Sequence, residues 1–392
     1  MERIGIYGGS FNPPHVGHIR AAQWAVDTLG LSKMLLIPCN ISPGKPECAD
    51  KASNEQRLQM LRYAMADCEK LELCEMELQR GDVSYTCDTV TQLRKDYPDA
   101  ELILCMGSDA FAHFESWKDP EIILQNVSLA VFNRGKRSDD VTQVQTRLEA
   151  IGGKTYVLDN PVTQISSTQL RRLLAFRCAD PFLDPRVAAF IQRNNLYSTG
   201  KNYRHLPMEQ LEQVVISLLK PNRVAHVLGC RDTAVKMARR WGADETDAAR
   251  AGLLHDITKA LDGPLQLTLC SEYGMILDDF STQNPKTLHA VTGSMVAERI
   301  FGENKAVVDA IRWHTTGKAN MNLLQKIIYV ADYMEPNRDF PGVEQLRHLA
   351  FTDLDAALKL GLEMTVSVLL EQGREISPES KMAIGWLNSN LS

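Results

Sequence analysis

Hydrophobic positions in the first half of the chain come in short runs, separated by stretches with helical spacing. Ile4–Tyr7, Met34–Pro38, Glu101–Met106, Ser128–Asn133 and Thr155–Leu158 read as buried strands. Ile19–Leu29, Glu55–Cys68, Thr86–Tyr97, Thr168–Phe176 and Pro185–Arg193 read as helices between and after them. This alternation predicts an α/β domain with a parallel sheet, whose ligands bind at the carboxyl ends of the strands. After Leu196 the texture changes. Tyr197–Pro207 is polar and rich in turn residues. Beyond it Met208–Leu219, Arg223–Trp241, Thr246–His255, His289–Phe301, Lys305–His314, Leu323–Met334 and Asp353–Gln372 all carry helical periodicity. The expected organisation is an α/β domain over 1–197, a linker over 198–207, and an all-α domain over 208–392.

Composition supports two folded domains and narrows their partners. The 392 residues are 44% hydrophobic and 23% charged, ordinary for globular protein and enough for two cores. No apolar stretch approaches the ~18 residues of a membrane span. The net charge is -6. Basic and acidic residues number 22 against 25 up to residue 199 and 21 against 24 after it, so neither half reads as a general nucleic-acid binder. The nine cysteines include no Cys-x-x-Cys pair, which predicts reduced thiols in a cytoplasmic protein. Met1-Glu2-Arg3 leads straight into a strand, with no export signal expected.

Three features of the first half carry chemistry. Gly8-Gly9-Ser10-Phe11-Asn12-Pro13-Pro14-His15-Val16-Gly17-His18 runs from a strand through a glycine turn into a helix. Such a turn lets backbone approach a phosphate, and the helix start offers unpaired N–H groups. A lone histidine there would read as a cap or a packing residue. Two histidines flanking a glycine, three positions apart, can both face one anion. Ile165-Ser166-Ser167-Thr168-Gln169-Leu170-Arg171 combines a capping box at Ser166 and Gln169 with hydroxyls and an arginine fork. Gly107-Ser108-Asp109 puts a carboxylate at the end of a strand, where a ribose could be held or an ordinary turn formed.

These motifs resemble the nucleotidylyltransferase superfamily, with its Rossmann-like fold. Ser84-Tyr85-Thr86-x-Asp88-Thr89, Met106-Gly107-Ser108-Asp109-Ala110-Phe111, Trp117 and Asn195-Leu196-Tyr197 narrow the likeness to bacterial nicotinate-nucleotide adenylyltransferases. The resemblance implies transfer of AMP from ATP to nicotinate mononucleotide, with Mg²⁺ on the triphosphate. It implies that His15 and His18 are catalytic. Gly8, Gly9, Ser10, Phe11, Lys45, Ser167, Thr168 and Arg171 would bind ATP, and Thr86, Asp109, Trp117 and Arg134 the nicotinate nucleotide. The loop holding Lys45, Ile41-Ser42-Pro43-Gly44-Lys45-Pro46, departs from the family's usual Pro-Pro-His-Lys. Another phosphorylated acceptor is the alternative.

The second half holds His226, His255-Asp256, His289, His314 and Asp332, while His205 and His348 read as linker and surface residues. Asp332 ends an apolar run, where a carboxylate is costly unless paired or ligated. Imidazole and carboxylate together suit Fe, Mn, Zn or Co. The order Arg223-x-x-His226, His255-Asp256-x-x-Lys259, His289, Trp313-His314-Thr315-Thr316-Gly317 resembles the HD-domain phosphohydrolases. Together with Tyr329-Val330-Ala331-Asp332-x-x-Glu335-Pro336-x-Arg338, it is similar to their symmetrical diadenosine tetraphosphatase branch. That likeness implies a dinuclear centre, iron by preference. His226, His255, Asp256 and Asp332 would hold one metal, and His289 and His314 the other, with Asp256 shared and catalytic. Lys259 and Arg338 would meet substrate phosphates. A nucleotidase or a nucleotide-binding regulatory module is the alternative. Homo-oligomerisation stays open.

Overall fold

The computed structural model describes residues 2–43, 51–133 and 139–390, with main chain alone at 139 and 140. The chain divides into two compact units, Met1–Lys201 and Asn202–Ser392. Among the described residues no helix is long and apolar enough to cross a membrane.

The first unit is built on six strands: β1 (Arg3–Gly9), β2 (Lys33–Pro38), β3 (Leu71–Leu73), β4 (Glu101–Gly107), β5 (Ser128–Phe132) and β6 (Thr155–Leu158). They form one parallel sheet in the order β3-β2-β1-β4-β5-β6. Both faces are covered, which is why the strands read as continuous apolar runs. Ile4, Ile6, Leu35, Ile37, Leu102 and Leu104 pack on one face with Val90 and Leu93. Met34, Leu36, Ile103 and Cys105 pack on the other with Ile19, Ala22 and Ala25. Each fully buried aliphatic side chain contributes roughly 1.5–3 kcal/mol. The strand order reverses between β1 and β4, and that reversal opens the crevice where such sheets bind ligands.

Five helices of this unit carry the argument: α1 (Val16–Leu29), α2 (Asn54–Ala64), α3 (Thr86–Asp96), α4 (Ser167–Ala175) and α5 (Pro185–Arg193). Gly30 ends α1 in the left-handed region at φ 60, a conformation that glycine adopts without penalty. The sequence pattern missed β3, which at three residues is too short to show a period, and the helices Pro120–Asn126 and Asp139–Ala150.

In the second unit every described element is helical. Five helices meet around its centre: α6 (Val224–Trp241), α7 (Glu245–Leu254), α8 (Leu288–Val296), α9 (Lys305–Trp313) and α10 (Leu323–Met334). Helix α6 packs on α7 and α10, and α9 packs on α7, α8 and α10. Asp244, Asn304 and Asn322 cap α7, α9 and α10 by accepting from the N–H groups of Asp247, Val307 and Gln325. The expected helix His289–Phe301 begins at Leu288, and from Ala297 to Phe301 it widens into a π-helical turn. Gly263–Glu272, Val343–Thr352 and Pro378–Asn390 are further helices that the pattern did not reveal.

Candidate functional sites

At the carboxyl end of β1 the chain leaves the sheet at Gly8-Gly9 and reaches α1 through Ser10–His15. Added to Gly8, a Cβ would meet nothing within 4 Å. At Gly17 it would lie 3.0 Å from His15 Nδ1, so the glycine between the two histidines makes room for the His15 ring. The two imidazoles stack with centroids 3.6 Å apart. His18 Nδ1 accepts from the His15 N–H at 3.2 Å. The Phe11 ring is buried against Tyr7 and His18, so it packs the loop rather than facing solvent.

The start of α4 is fastened to this loop. Ser166 and Gln169 form the expected capping box. Ser167 Oγ donates to Pro13 O at 2.9 Å, and Arg171 Nη1 donates to Asn12 O at 2.7 Å. Arg171 Nη2 also donates to Thr168 Oγ1 at 3.2 Å. Asn12 Oδ1 accepts from Tyr197 OH at 2.6 Å and from Ala52 N–H at 3.1 Å. The histidine pair, Ser167, Thr168 and Arg171 therefore gather around one loop.

Thr86 opens α3, and the preceding Ser84 donates its N–H to Ile41 O beyond the end of β2. Lys118, next to Trp117, sits 4.5 Å over the Tyr85 ring and 3.7 Å from Asp88, which brings the Trp117 segment to the start of α3. Asp109 lies exposed in the short helix after β4, the strand beside β1. Lys45 and Arg134 lie outside the described residues.

A polar relay joins the two parts of this site. Arg57, fully buried in α2, donates from Nη1 to Ser10 O at 2.8 Å and from Nη2 to Asn54 Oδ1 at 2.7 Å. Asn54 Nδ2 donates to Asn40 Oδ1 at 2.9 Å, and the Asn40 N–H donates to Ser84 Oγ at 3.0 Å. Sequence reasoning singled out Ser10 and Ser84 but not Arg57, Asn54 and Asn40, since an arginine in an amphipathic helix gives no sign of burial.

In the second unit the four predicted ligand histidines sit at helix ends. His226 lies in the first turn of α6, His255 and Asp256 follow α7, His289 lies in the first turn of α8, and His314 follows α9. Asp332 lies in the last turn of α10. The four histidines and Asp256 are buried. His226 Nε2 is 3.3 Å from His255 Nε2 and 3.1 Å from Asp332 Oδ1. His289 Nε2 is 3.2 Å from His314 Nε2 and 3.4 Å from Asp256 Oδ1. Asp256 Oδ2 faces His255 at 3.6 Å and His226 at 3.7 Å, so this aspartate touches both pairs. The structure thus brings all six predicted ligands together. His226, His255 and Asp332 form one compact group, with ligand atoms within 4.8 Å, and His255, Asp256 and His314 another.

The ring orientations test whether this donor set fits a metal. The Nδ1 atoms of His255, His289 and His314 lie 2.7, 2.8 and 2.7 Å from the carbonyls of Gly252, Lys286 and Ile311. His226 Nδ1 lies 3.1 Å from Glu335 Oε1. These acceptors make each Nδ1 the protonated nitrogen and turn a lone pair on each Nε2 inward. Facing lone pairs 3.2–3.3 Å apart repel unless a cation lies between them. Burial holds His255 and His289 well below the ordinary histidine range and His314 at about 4, so protons do not fill that role. Burial pushes the Asp332 carboxyl up, but the group is held well below the usual carboxylate range, with the positive charge of Arg338 beside it. The residues fit a pair of metal ions.

Basic side chains rim the cluster. Arg223 lies against Asp256. Arg338 Nη2 pairs with Asp332 Oδ1 at 2.8 Å. Lys259 Nζ is 2.9 Å from His289 Nε2, and burial brings this lysine down to about 8.

The two sites define a nucleotide-binding α/β unit and a helical histidine–aspartate unit. The Cytidylyltransferase-like family matches residues 6–173 and the HD domain family residues 223–337. A probable nicotinate-nucleotide adenylyltransferase of Rhodopirellula baltica is 38% identical over 205 residues, 50% of this chain and 92% of that protein. A symmetrical bis(5'-nucleosyl)-tetraphosphatase of Bacillus subtilis is 37% identical over 175 residues, 44% of this chain and 92% of that protein. A Clostridium acetobutylicum crystal structure described as a predicted HD superfamily hydrolase involved in NAD metabolism covers 47% of this chain and 98% of its own, at 36% identity and a TM-score of 0.46. The chain belongs to the nicotinate-nucleotide adenylyltransferase family in its first half and to the symmetrical bis(5'-nucleosyl)-tetraphosphatase family in its second.

Proposed function

We propose that the chain is a bifunctional enzyme. Its first unit transfers the adenylyl group of ATP to nicotinate mononucleotide, giving deamido-NAD and pyrophosphate. Its second unit hydrolyses diadenosine tetraphosphate symmetrically to two ADP. The observation that carries the reading is that each unit gathers its own motif residues and resembles relatives named for one of these two activities.

In the transfer step a phosphate oxygen of nicotinate mononucleotide bonds to the α-phosphorus of ATP, and the bond to the β-phosphate oxygen breaks. His15 and His18 offer donors to the charge that builds on the leaving pyrophosphate. Arg171 and the opening N–H groups of α4, with Ser167 and Thr168, hold its far end. The N–H groups at Thr86 take the nicotinate carboxylate, the Trp117 face takes its ring, and Asp109 takes a ribose hydroxyl. Mg²⁺ would neutralise part of the triphosphate charge. The roles of Lys45 and Arg134, at the phosphates and at the joined nucleotide, rest on the sequence motif alone.

In the hydrolytic unit His226, His255 and Asp332 would hold one metal and His289 and His314 the other, with Asp256 between them. A bound iron pair would supply an acidified water and a Lewis acid for the phosphate. Lys259 and Arg338 draw the outer phosphates in, and the water adds to an inner phosphorus as the central P–O bond breaks.

Two assays test the reading. With ATP, nicotinate mononucleotide should release pyrophosphate much faster than nicotinamide mononucleotide. Equal rates, or none with either, defeat the acceptor assignment. With diadenosine tetraphosphate, chromatography should show ADP alone. AMP plus ATP, or no product with iron or manganese present, defeats the hydrolytic assignment.

A further inference from the structure

Three of the four clustered histidines anchor Nδ1 on a carbonyl three residues back in their own chain segment. His226 is different. Its Nδ1 donates to Glu335 Oε1 at 3.1 Å, across 109 residues of chain. Glu335 is 1% exposed. Its other oxygen accepts from the Asn337 N–H and from Asn337 Nδ2, both at 2.8 Å. Asn337 Nδ2 also reaches Ala225 O at 3.2 Å, tying this turn to the start of α6. The backbone is shaped for the carboxylate too, since a Cβ at Gly229 would overlap Glu335 Oε2. A buried carboxylate is expensive, and the chain spends a glycine and an asparagine to keep one behind a single histidine.

A carboxylate behind an imidazole does more than a carbonyl does. It fixes the ring and also raises the electron density on Nε2, making that nitrogen a stronger donor to a cation. We propose that Glu335 is a positioning residue that strengthens the metal position served by His226 and Asp332, so that this position fills first and binds more tightly. The proposal rests on the metal-pair reading above. Asp332 already gives this position one carboxylate more than the other, and Glu335 adds to that difference through the His226 ring.

The test is titration of the metal-stripped full chain with Mn²⁺, following free Mn²⁺ by electron paramagnetic resonance. Wild type should bind in two steps. Glu335→Gln should weaken the first step by about 10–100-fold and leave the second nearly unchanged. Gly229→Ala keeps the carboxylate but crowds it, and should shift the same step in the same direction. It also serves if Glu335→Gln fails to fold. Two equal steps in wild type overturn the proposal. So does an unchanged first step in both variants, or equal weakening of both steps. Absence of Mn²⁺ binding by wild type defeats the metal-pair reading itself, an outcome distinct from two normal sites that ignore Glu335.

Discussion

Arg57→Met separates the buried relay from the surface of the first unit. The arginine is fully buried and donates to two acceptors, Ser10 O and Asn54 Oδ1. A methionine of similar length fills the space and leaves both acceptors without that donor. An unmet acceptor costs about 1–3 kcal/mol when buried, so these two part-buried ones cost at most about 2–6 kcal/mol together. Part of that returns, because burial already penalises the guanidinium charge and pulls its pKa down. A net loss of about 1–3 kcal/mol follows, or roughly 2–12 °C in the melting transition of a unit this size. Ser10 belongs to the loop that would hold ATP, while Asn54 leads through Asn40 to Ser84 at the start of α3. KM should therefore rise for ATP and for nicotinate mononucleotide together. Calorimetry with and without an ATP analogue identifies the transition, and steady-state assays with each substrate varied give the two constants. A variant with unchanged melting and both KM values unchanged refutes the relay. A rise for ATP alone confines Arg57 to the phosphate loop.

Other expectations concern separate parts of the molecule. Asp256→Asn should abolish tetraphosphate hydrolysis and leave adenylyl transfer within about twofold, because the residue contacts both histidine pairs and lies in the second unit alone; retained hydrolysis defeats the ligand assignment. Arg250→Ala should destabilise the helical unit by about 3–5 kcal/mol by stranding Glu303, whose two oxygens it holds at 2.6 Å; an unchanged urea midpoint for that unit contradicts this. Buried His255, His289 and His314 fold neutral, but unfolded they titrate near ~6.5. Metal-stripped protein should therefore lose stability in that unit as pH falls from about 6.5 towards 4, by up to about 1.4 kcal/mol per unit for each histidine, and gain none above 7; equal denaturant midpoints at pH 7 and 5 would count against it. Ser166→Ala should cost about 1 kcal/mol and weaken ATP binding, since it loosens the helix start joined to Asn12 and Pro13; unchanged melting and affinity refute that link.

Much of the architecture was legible because burial on both faces writes itself as apolar runs, as in Leu102–Met106. The three-residue β3 and the helix Gly263–Glu272 were not. The first has no room for a period, and the second spreads its apolar residues around the helix rather than along one stripe. The histidines and aspartates of the second unit could be picked out because they interrupt apolar surroundings. What supports them could not. Glu335 stood in a noted motif without a role, since its partner His226 is distant in sequence. Arg57 drew no reading, since nothing local in its helix signals the tertiary packing that buries it.

The two glycines Gly8 and Gly17 stand in one motif yet answer to different constraints. Gly17 is demanded by the protein, because the His15 ring occupies the space a side chain would need. Nothing among the described residues crowds Gly8. An alanine at 17 must disturb the loop, whereas an alanine at 8 can leave the folded unit untouched and still fill the room a nucleotide requires. Gly8→Ala is therefore a way to silence one reaction in a chain that keeps its shape, its second activity and its cellular abundance. Such a chain would let a cell report what each half is worth to it.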